Sequence, residues 1–477
     1  MAPASLRDVR FSRIPFLEVI KLKETIAAIA TGMSNSGIGI VRMSGPQAIE
    51  IADSIFCARN GKKLAEAKSH TIHYGNIQYN GNIIDEVLVM LMKAPNTYTR
   101  EDVVEIDCHG GIFVMKKILE ALIKSGARPA EPGEFTKRAF LSGRIDLAQA
   151  ESVIDIINSK NRYALKNSVN GLNGKLSEII SKIREDILEK TAYIEAALDD
   201  PEHISLDNFV DKLLLTVDNS INKVEKLLKT VENGKLFTQG VKTVIIGKPN
   251  AGKSSILNIL TGYDRAIVTD IAGTTRDTIE EQINLNGITL NIIDTAGIRK
   301  TDDKIEEIGV EKAKQLASEA DLILYVVDSS TPLDDNDYDI LDIIKDRKTI
   351  VLLNKSDLEQ VITANQLSKI TESTIISVSA IDNTGLDDLS DCIVKLFTDG
   401  EIGFNDEIYI SNERQKAALD NALESLKLVK EAVNTGMPED LYTIDLMNAY
   451  EELGKITGEA VEDDLVNEIF GKFCMGK

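Results

Sequence analysis

The sequence predicts a multidomain fold of α/β plus α type: an α+β region, then an all-helical domain into which a doubly wound α/β domain is inserted. Three observations support this. Mixed strand-like and helix-like runs occupy residues 25–139, helical periodicity covers 143–230, and strands then alternate with helices up to about residue 397. Such alternation is typical of a mostly parallel sheet with helices on both faces. Helical periodicity returns over 412–473, so the α/β domain interrupts one helical domain.

The composition indicates an ordinary globular protein. At 477 residues the chain has room for about three domains, and 43% of its residues are hydrophobic and 27% charged. Its apolar runs are far shorter than the ~18 residues that a membrane span needs. The formal net charge of −22 argues against an overall electrostatic attraction to nucleic acid, so a polyanionic partner is expected to meet one local face. The four cysteines show no CxxC spacing, which favours a reduced, cytoplasmic setting.

Residues 1–23 are basic and differ from the rest of the chain. We interpret them as an extension or leader, with a transit peptide as the alternative, and exclude them from the fold prediction. In the α+β region the predicted strands are 38–41, 71–74, 87–91 and 103–106, and the predicted helices are 46–55 and 112–125. Gly171 and Gly174 predict breaks between helices, and Gly234 and Gly240 predict a short linker into the α/β domain.

The motif Gly-Lys-Pro-Asn-Ala-Gly-Lys-Ser at residues 247–254 predicts a phosphate-binding loop. It follows the apolar run 241–246 and precedes a helix-like run, which is the strand–loop–helix context that such a loop requires. Glycines allow backbone N–H groups to point inward, and the helix N-terminus adds positive potential. Lys253 is then placed to reach the β- and γ-phosphates, and the Ser254 hydroxyl to bind Mg²⁺. A glycine-rich turn without a ligand is the alternative.

Three further motifs favour guanine nucleotides. Residues 294–297, at the end of a predicted strand, offer Asp294 to Mg²⁺ through water and the Gly297 N–H to the γ-phosphate. In the motif 354–357, Asp357 can accept from the guanine N1–H and amine, a donor pair that adenine lacks. Residues 379–380 can close over the guanine carbonyl. The predicted GTP-binding residues are Asn250, Ala251, Gly252, Lys253, Ser254, Ser255, Thr269, Asp270, Ile271, Ala272, Gly273, Thr274, Thr275, Asp294, Thr295, Ala296, Gly297, Asn354, Lys355, Ser356, Asp357, Ser379 and Ala380.

Between these motifs, residues 269–277 are interpreted as a switch segment. Thr275 is the second predicted Mg²⁺ ligand, ordered only when the γ-phosphate is present, and Gly273 supplies flexibility. Ile298 occupies the position where small signalling GTPases place a water-orienting Gln, and an apolar side chain cannot polarise water. Another group must act, or hydrolysis is very slow. The candidates from the residues alone are the carboxylates Asp302, Asp303, Glu306 and Glu307 and the guanidinium groups of Arg276 and Arg299, each also explicable as a surface charge.

Taken together, these motifs and the segments 25–31, 37–42, 132–141, 146–151 and 473–477 resemble the MnmE (TrmE) family of tRNA-uridine-modifying GTPases. The resemblance runs from about residue 24 to 477. It implies an N-terminal folate-binding α+β domain, a discontinuous helical domain and an inserted Ras-like P-loop GTPase domain. The implied divisions are a leader at 1–23, the folate-binding domain at 24–142, the first helical segment at 143–238, the G domain at 239–398, and the second helical segment with its C-terminal tail at 399–477.

The resemblance also implies site residues. A K⁺ ion is expected to replace an arginine finger, with Asn250, Thr269, Ile271 and Thr274 as its ligands, and a cation there would neutralise charge developing in the transition state. The catalytic carboxylate of the family falls on Glu306, acting indirectly on the attacking water. The contacts to 5-formyltetrahydrofolate fall on Arg42, Glu105, Arg144 and Lys477. This chain departs from the family at residues 32–34, Gly-Met-Ser in place of Pro-Pro-Gly, and at Met475 in place of Ile.

The function implied is a K⁺-stimulated GTPase, a GTP phosphohydrolase acting in tRNA modification. With the flavoprotein MnmG it would add an aminomethyl or carboxymethylaminomethyl group to C5 of the wobble uridine (U34) of tRNA, using a 5-formyltetrahydrofolate-type donor. A homodimer and tRNA as substrate follow from the same resemblance. Mg²⁺ is predicted from the nucleotide motifs, and no membrane association from the short apolar runs. A regulatory or ribosome-assembly GTPase switch is the alternative, and a one-carbon transferase acting without MnmG is a third.

Other chemically suggestive residues receive structural interpretations. His70 and His73 are spaced as possible metal ligands but lie on a predicted strand without partners. Residues 108–111 are interpreted as a tight turn after a strand, not as a Cys–His catalytic pair. Cys474 is expected to be a packed thiol and not a nucleophile.

Overall fold

A computed structural model describes residues 24–205, 209–263, 279–293, 310–398, 408–461 and 463–477. These residues form two compact units. The first comprises the described residues of Met1–Ile154, Gly171–Asp218 and Asn421–Lys477, and the second those of Asp155–Asn170 and Asn219–Asp420. The division of the sequence into leader, folate-binding, helical and G domains stays a prediction in its boundaries.

The first unit contains a seven-stranded sheet. Its strands are β1 (Ile26–Ile29), β2 (Ile38–Ser44), β3 (Phe56–Ala58), β4 (Thr71–Tyr79), β5 (Asn82–Met92), β6 (Val103–His109) and β7 (Arg128–Pro129). The spatial order is β3-β4-β5-β6-β2-β1-β7, antiparallel except for the β1–β7 pair. All four strands predicted in this region are present, and each is longer than the apolar run that indicated it.

One face of this sheet carries the core of the first unit. Helices α1 (Ala48–Ile55) and α2 (Ile112–Lys124) cover it, and alternate residues of β6, such as Val104 and Ile106, point into that core. Because neighbouring side chains on a strand point to opposite faces, Glu105 and Asp107 lie on the other face. The antiparallel register places Arg42 of β2 directly opposite Glu105 on that face. The sheet therefore pairs two oppositely charged predicted site residues.

Helices complete the first unit. They are α3 (Glu134–Leu141), α4 (Leu147–Asn158), α5 (Arg162–Leu172), α6 (Lys175–Asp199), α7 (Phe209–Lys229), α14 (Glu413–Asn434), α15 (Glu439–Thr457) and α16 (Asp463–Gly471); α4, α5, α7 and α14 contribute residues to both units. Phe470 of α16 packs with Ala139 of α3 in a small apolar core. Arg184 of α6, only 8% exposed, forms an ion pair with Glu459 at 2.6 Å and joins α6 to the chain that follows α15.

The second unit is a doubly wound α/β domain. Its strands are β8 (Val241–Gly247), β9 (Ile279–Leu285), β10 (Ile288–Ile293), β11 (Leu322–Asp328), β12 (Thr349–Asn354) and β13 (Thr374–Ser377). Their order is β13-β12-β11-β8-β10-β9, parallel except for the edge strand β9. Its helices are α8 (Val231–Gln239), α9 (Lys253–Tyr263), α10 (Val310–Glu319), α11 (Asp335–Ile344), α12 (Ala364–Leu367) and α13 (Leu386–Thr398).

Alternate residues of the central strands enter two separate apolar cores. Ile245 of β8 belongs to one, and its neighbours Val244 and Ile246 belong to the other. Both faces of the sheet are therefore covered, as the continuous apolar runs predicted. Strands β8, β11 and β12 run parallel and end at one edge of the sheet, in Gly247, Asp328 and Asn354. Ligands of open α/β sheets bind outside this edge.

The predicted linker between Gly234 and Gly240 is wrong: this stretch is helix α8 up to Gln239. Gly234 lies inside the helix because the chain at Ile410 approaches it closely, and a Cβ on Gly234 would lie 2.2 Å from the Ile410 carbonyl oxygen. Gly240, with φ of 78°, ends the helix. None of the described helices is both long and apolar enough to cross a membrane.

Candidate functional site

The phosphate loop connects β8 to α9 and has the backbone that its glycines allow. Gly247 has a φ of 153° and Gly252 a φ of 98°, and Asn250 adopts the left-handed conformation at 60°. A Cβ on Gly247 would lie 2.4 Å from the Val326 carbonyl oxygen. The Lys253 ammonium donates to the carbonyl oxygens of Gly247 at 2.9 Å and Lys248 at 2.8 Å, so it lies within the curl of the loop.

The base loop follows β12. Asn354 is buried, its amide Nδ2 donates to the Ala251 carbonyl at 2.9 Å, and a Cβ on Gly252 would lie 2.1 Å from that Nδ2. The base loop and the phosphate loop are therefore in direct contact. The Oδ1 of Asn354 is buried without a hydrogen-bond partner. An orphaned acceptor is costly and is typical of functional positions.

The predicted guanine-recognition residues converge. Ser379 is buried, and its hydroxyl donates to the Asp357 carboxylate at 2.8 Å while accepting from the Asp382 N–H. The N–H of Ser356 donates to the Val378 carbonyl at 3.2 Å, which fixes the base loop against the end of β13. Sequence positions more than twenty residues apart thus lie in direct contact around the Asp357 carboxylate. Ser254 lies half-buried in the first turn of α9, and Ser255 is exposed.

Three ion pairs made by two lysines support these loops, and the sequence patterns did not indicate them. Lys248 Nζ lies 3.0 Å from Asp334 Oδ2 and 2.6 Å from Asp337 Oδ2. Lys355 Nζ lies 2.5 Å from Asp328 Oδ2. Burial opposes ionisation of Asp328, but the hydrogen bonds from Lys355 and Ser330 outweigh it and hold the pKa of this carboxyl below its usual value. Asp328 is a carboxylate at the end of β11, and polar residues at strand ends also identified the other motifs.

Several predicted site residues lie outside the described residues. They are Thr269, Asp270, Ile271, Ala272, Gly273, Thr274 and Thr275 of the switch segment, Asp294, Thr295, Ala296 and Gly297, and the catalytic candidate Glu306. Ile298, Arg276 and Arg299 lie there as well. Their assignments stay predictions.

A second constellation forms in the first unit where the C-terminus folds back on the sheet. Arg42 and Glu105 are only 19% and 15% exposed, and the Arg42 Nε lies 2.5 Å from Glu105 Oε1. Arg42 Nη1 also donates to the Gly476 carbonyl at 3.1 Å. Burial and the nearby Arg42 guanidinium lower the pKa of Lys477, against an opposing effect of Glu105. Arg42, Glu105 and Lys477 are therefore neighbours although they are remote in sequence.

The tail is held by backbone contacts. The Phe135 N–H donates to the Lys477 carbonyl at 3.2 Å, and the Arg42 guanidinium lies over the Phe135 ring at 5.7 Å. Gly476 has φ 89°, and a Cβ there would lie 2.4 Å from the Ile29 carbonyl oxygen. Only glycine allows this approach of the tail to β1. Phe135 and Gly476 are site-forming residues that no local pattern distinguished.

Arg144, the fourth predicted folate residue, is linked to the other three through Tyr98. It is exposed, and its guanidinium stacks on Tyr98 at 4.8 Å. The Tyr98 hydroxyl is hydrogen-bonded to the Thr136 hydroxyl at 3.0 Å, next to Phe135 in sequence. The structure thus brings three of the four predicted folate residues together and connects the fourth through an aromatic neighbour.

The structure contradicts part of the interpretation of the histidines and that of Cys474: His70 precedes β4, and both His70 and His73 have hydrogen-bond partners. His70 and His73 bond to the neighbouring hydroxyls of Ser69 and Thr71, and among the described residues no cluster of three metal-ligating side chains is found. Cys108 is buried, whereas its neighbour His109 is exposed and pairs with Asp85. Cys474 is exposed, so the expectation of a packed thiol is wrong: the adjacent Phe473 and Gly476 are the buried residues of the tail. Met475 is 68% exposed, so its replacement of Ile does not affect packing.

The doubly wound sheet, the phosphate loop and the Asn354–Asp357 base loop define a P-loop protein of the guanine-nucleotide-binding class. Residues 25–144 match the family description GTP-binding protein TrmE N-terminus, and residues 147–474 match MnmE helical domain. The tRNA modification GTPase MnmE of Lachnoclostridium phytofermentans is 58% identical over 455 residues, which is 95% of this chain and 99% of that protein. The chain belongs to the MnmE (TrmE) family of tRNA modification GTPases.

A second relative matches over a similar extent of the chain. The MnmE of Acetivibrio thermocellus is 48% identical over 459 residues, with 95% of this chain and 99% of that protein covered. Among solved structures, the G domain of the T. maritima FeoB iron transporter is 29% identical, covering 33% of this chain and 98% of that one, with a TM-score of 0.25. Family membership confirms the predicted fold class and the prediction of a GTPase.

Proposed function

We propose that the chain is a K⁺-stimulated GTPase that works with the flavoprotein MnmG on C5 of the wobble uridine (U34) of tRNA. The group added would be aminomethyl or carboxymethylaminomethyl, with a 5-formyltetrahydrofolate-type one-carbon donor. The observation that carries the proposal is the presence, in one chain, of a guanine-nucleotide edge and of a cluster of charged residues on which the C-terminal tail folds back. The relatives named as tRNA modification GTPases support tRNA as the substrate.

The charged cluster of Arg42, Glu105 and Lys477 suits a folate. Glu105 offers a carboxylate that can accept paired N–H donors from a pterin edge, and Arg42 and Lys477 offer cations for carboxylate or carbonyl oxygens. The Arg42–Glu105 ion pair holds both side chains in place at 2.5 Å before any ligand arrives. Arg144, stacked on Tyr98, extends the positive charge outward. Bound folate would supply the one-carbon unit, and these residues would bind and orient it. A regulatory or ribosome-assembly switch needs no such cluster.

The nucleotide edge suits Mg²⁺-bound GTP. Lys253 and the loop N–H groups would hold the phosphates, Asp357 would select guanine, and the Ser254 hydroxyl would hold Mg²⁺ together with Thr275. A K⁺ ion on Asn250, Thr269, Ile271 and Thr274 would supply positive charge beside the phosphates in place of an arginine, and Glu306 would orient water indirectly. Cleavage would drive movement of the G domains and supply no atoms to the base.

The proposed assembly is a homodimer with MnmG as partner, acting in the cytoplasm. The net charge of −22 supports a division of labour in which the partner supplies much of the cationic surface for tRNA.

Folate binding by the full-length chain tests the central claim of the proposal. Titration calorimetry with 5-formyltetrahydrofolate is expected to detect one site per chain, weakened about 10- to 100-fold by Glu105→Gln because a hydrogen-bonded charge is lost. Glu50→Gln, on the exposed side of α1 in the same unit, serves as the control and should bind normally. Absence of binding by the unsubstituted protein would refute the folate assignment and leave the GTPase untouched.

GTP hydrolysis in KCl and in NaCl at equal ionic strength tests the cation. Asn250 has φ 60°, so Asn250→Gly removes the amide without strain, whereas Asn250→Ala adds strain. Loss of K⁺ stimulation in both variants would identify the side chain as the cause. Equal rates in the two salts for the unsubstituted protein would exclude the mechanism and redirect attention to Arg276, Arg299 or an external activator.

A further inference from the structure

The side chain of Lys248, within the phosphate-loop motif, is tied to the start of α11. Its ammonium lies between the carboxylates of Asp334 and Asp337, at 3.0 and 2.6 Å. Asp337 is itself fixed, because its side chain is 2% exposed and accepts from the buried Tyr325 hydroxyl at 2.8 Å and from the Asp334 N–H at 3.0 Å. The Lys248 carbonyl accepts the Lys253 ammonium at 2.8 Å. The ion pairs of the Lys248 side chain therefore hold the residue whose carbonyl contacts Lys253, the lysine that is predicted to bind the phosphates.

The base loop is tied to the same stretch of chain. Lys355 has φ 61°, a conformation that disfavours a residue with a Cβ, and both of its ends are held. Its ammonium pairs with Asp328 at 2.5 Å, and its carbonyl accepts from the Ser329 hydroxyl at 3.0 Å. Asp328 in turn accepts from the N–H and the hydroxyl of Ser330. Each carboxylate oxygen of Asp328 thus has a defined partner.

We propose that the segment from Asp328 to Asp337, here called the β11–α11 brace, positions both halves of the nucleotide site. Asp328 sets the base loop through Lys355, and Asp334 and Asp337 set the phosphate loop through Lys248. The segment runs from the last residue of β11 into the first turn of α11, and its aspartates act through the two lysines without touching the nucleotide. The proposal rests on the guanine-nucleotide-binding function of the chain and adds a set of positioning residues outside the motifs that define the class.

For one variant, a purely electrostatic effect of the aspartates and a positioning effect predict opposite changes in nucleotide affinity. Nucleotide phosphates are negative, so removing a nearby carboxylate should strengthen their binding if the aspartates act only through their charge. If the brace holds Lys248 in position, removing the carboxylate should weaken binding. Asp334→Asn tests the sign cleanly, because asparagine replaces aspartate well as the N-cap that accepts from the N–H groups of Asn336 and Asp337.

The experiment measures binding of fluorescent GDP to the full-length chain. Asp334→Asn is expected to weaken GDP binding about three- to tenfold, the range for one partly exposed charged pair. Asp342→Asn is the matched control, because Asp342 lies on the same helix and also pairs with a lysine, at 2.8 Å, while it is 76% exposed. Unchanged or tighter binding by Asp334→Asn, or an equal loss in the control, would overturn the proposal.

A specificity readout separates positioning from general destabilisation. Inosine diphosphate lacks the exocyclic amine of guanine, so its affinity relative to GDP reports on the base loop. Asp328→Asn should reduce this discrimination, whereas Asp334→Asn should weaken both nucleotides equally. The double variant should lose less than the product of the two single effects, because one brace serves both loops. Strictly multiplicative losses would show that the ion pairs of Lys248 and Lys355 act independently. Unchanged discrimination in Asp328→Asn would show that Asp328 does not position the base loop. Either result would overturn the common brace.

Discussion

The substitution Gly476→Ala is expected to release the C-terminal tail and weaken folate binding. Gly476 has a φ of 89°, and a Cβ there would lie 2.4 Å from the Ile29 carbonyl oxygen and 2.8 Å from the Ala30 Cα. These are backbone atoms at the end of β1, and they cannot rotate away as a flexible side chain could. The tail must therefore move.

The size of the effect follows from the strain. An alanine held at positive φ costs about 1–3 kcal/mol, and the contact with β1 adds to that until the tail undocks. Undocking breaks the hydrogen bonds that the carbonyls of Gly476 and Lys477 accept from Arg42 and Phe135, so the free energy of docking sets the upper limit. Because about 1.4 kcal/mol corresponds to a factor of ten, the strain alone predicts about 5- to 150-fold weaker folate binding.

Two measurements check this prediction. Carboxypeptidase digestion of the full-length protein reports on release of the tail, and calorimetry with 5-formyltetrahydrofolate reports on binding; GDP affinity should not change. Gly471→Ala is the matched control, since it lies at the end of α16 with no atom within 4 Å of a built Cβ. Wild-type digestion and wild-type folate affinity in Gly476→Ala would refute the reasoning. A released tail with normal folate affinity would instead remove Lys477 from the proposed folate site.

Three other predictions concern stability and reactivity. Burial opposes ionisation of the Glu134 carboxyl, but hydrogen bonds and charges from neighbouring arginines and a backbone N–H outweigh it and hold its pKa below the usual 4.5. The contribution of the Glu134 carboxylate to stability is therefore present above that value and lost as the pH falls through the lowered pKa. The urea midpoint of the unsubstituted protein should exceed that of Glu134→Gln, and this difference should shrink in that pH window. A difference that stays constant with pH would contradict the prediction. Arg184→Met should lower the free energy of unfolding by about 1–3 kcal/mol, because a guanidinium that is only 8% exposed is removed and its ion pair is lost. Lys182→Met, at an exposed position, is the control and should leave the urea midpoint unchanged. Equal midpoints for the two variants would count against the role of the Arg184 ion pair. Burial raises the pKa of the Cys108 thiol to about 11, so iodoacetamide at about pH 8 should modify the exposed Cys474 much faster, as peptide mass spectrometry can measure; comparable rates would disprove the assigned burial.

The local components of the nucleotide site were predictable from sequence because each is a contiguous motif at a strand end. The phosphate loop needs its glycines and Lys253 within eight successive residues, and the base loop needs Asn354 and Asp357 within four. Apolar runs of alternating strands and helices indicated the sheet that brings those ends together. The physical reason is that backbone conformation and strand direction are encoded within short windows of sequence.

Local sequence patterns predicted the wrong environment for two residues. Gly234 predicted a break, yet it lies inside α8 because the backbone near Ile410 leaves no room for a Cβ. Cys474 was expected to be packed, yet it is exposed in a tail whose neighbouring residues are buried. The contact that places Gly234 is with a segment remote in sequence, which local patterns do not report.

The sequence by itself determined the class of protein, since the phosphate loop, the base loop and the flanking family segments are all local. Only the tertiary structure decided which charged residues are neighbours. Strand register places Arg42 opposite Glu105, and a glycine at positive φ lets the last residues of the chain dock beside them. The brace that joins Lys248 and Lys355 to one acidic segment likewise exists only when β8, β11 and β12 lie side by side. Ion pairs act over a few ångströms in space, and distance along the chain does not predict that separation.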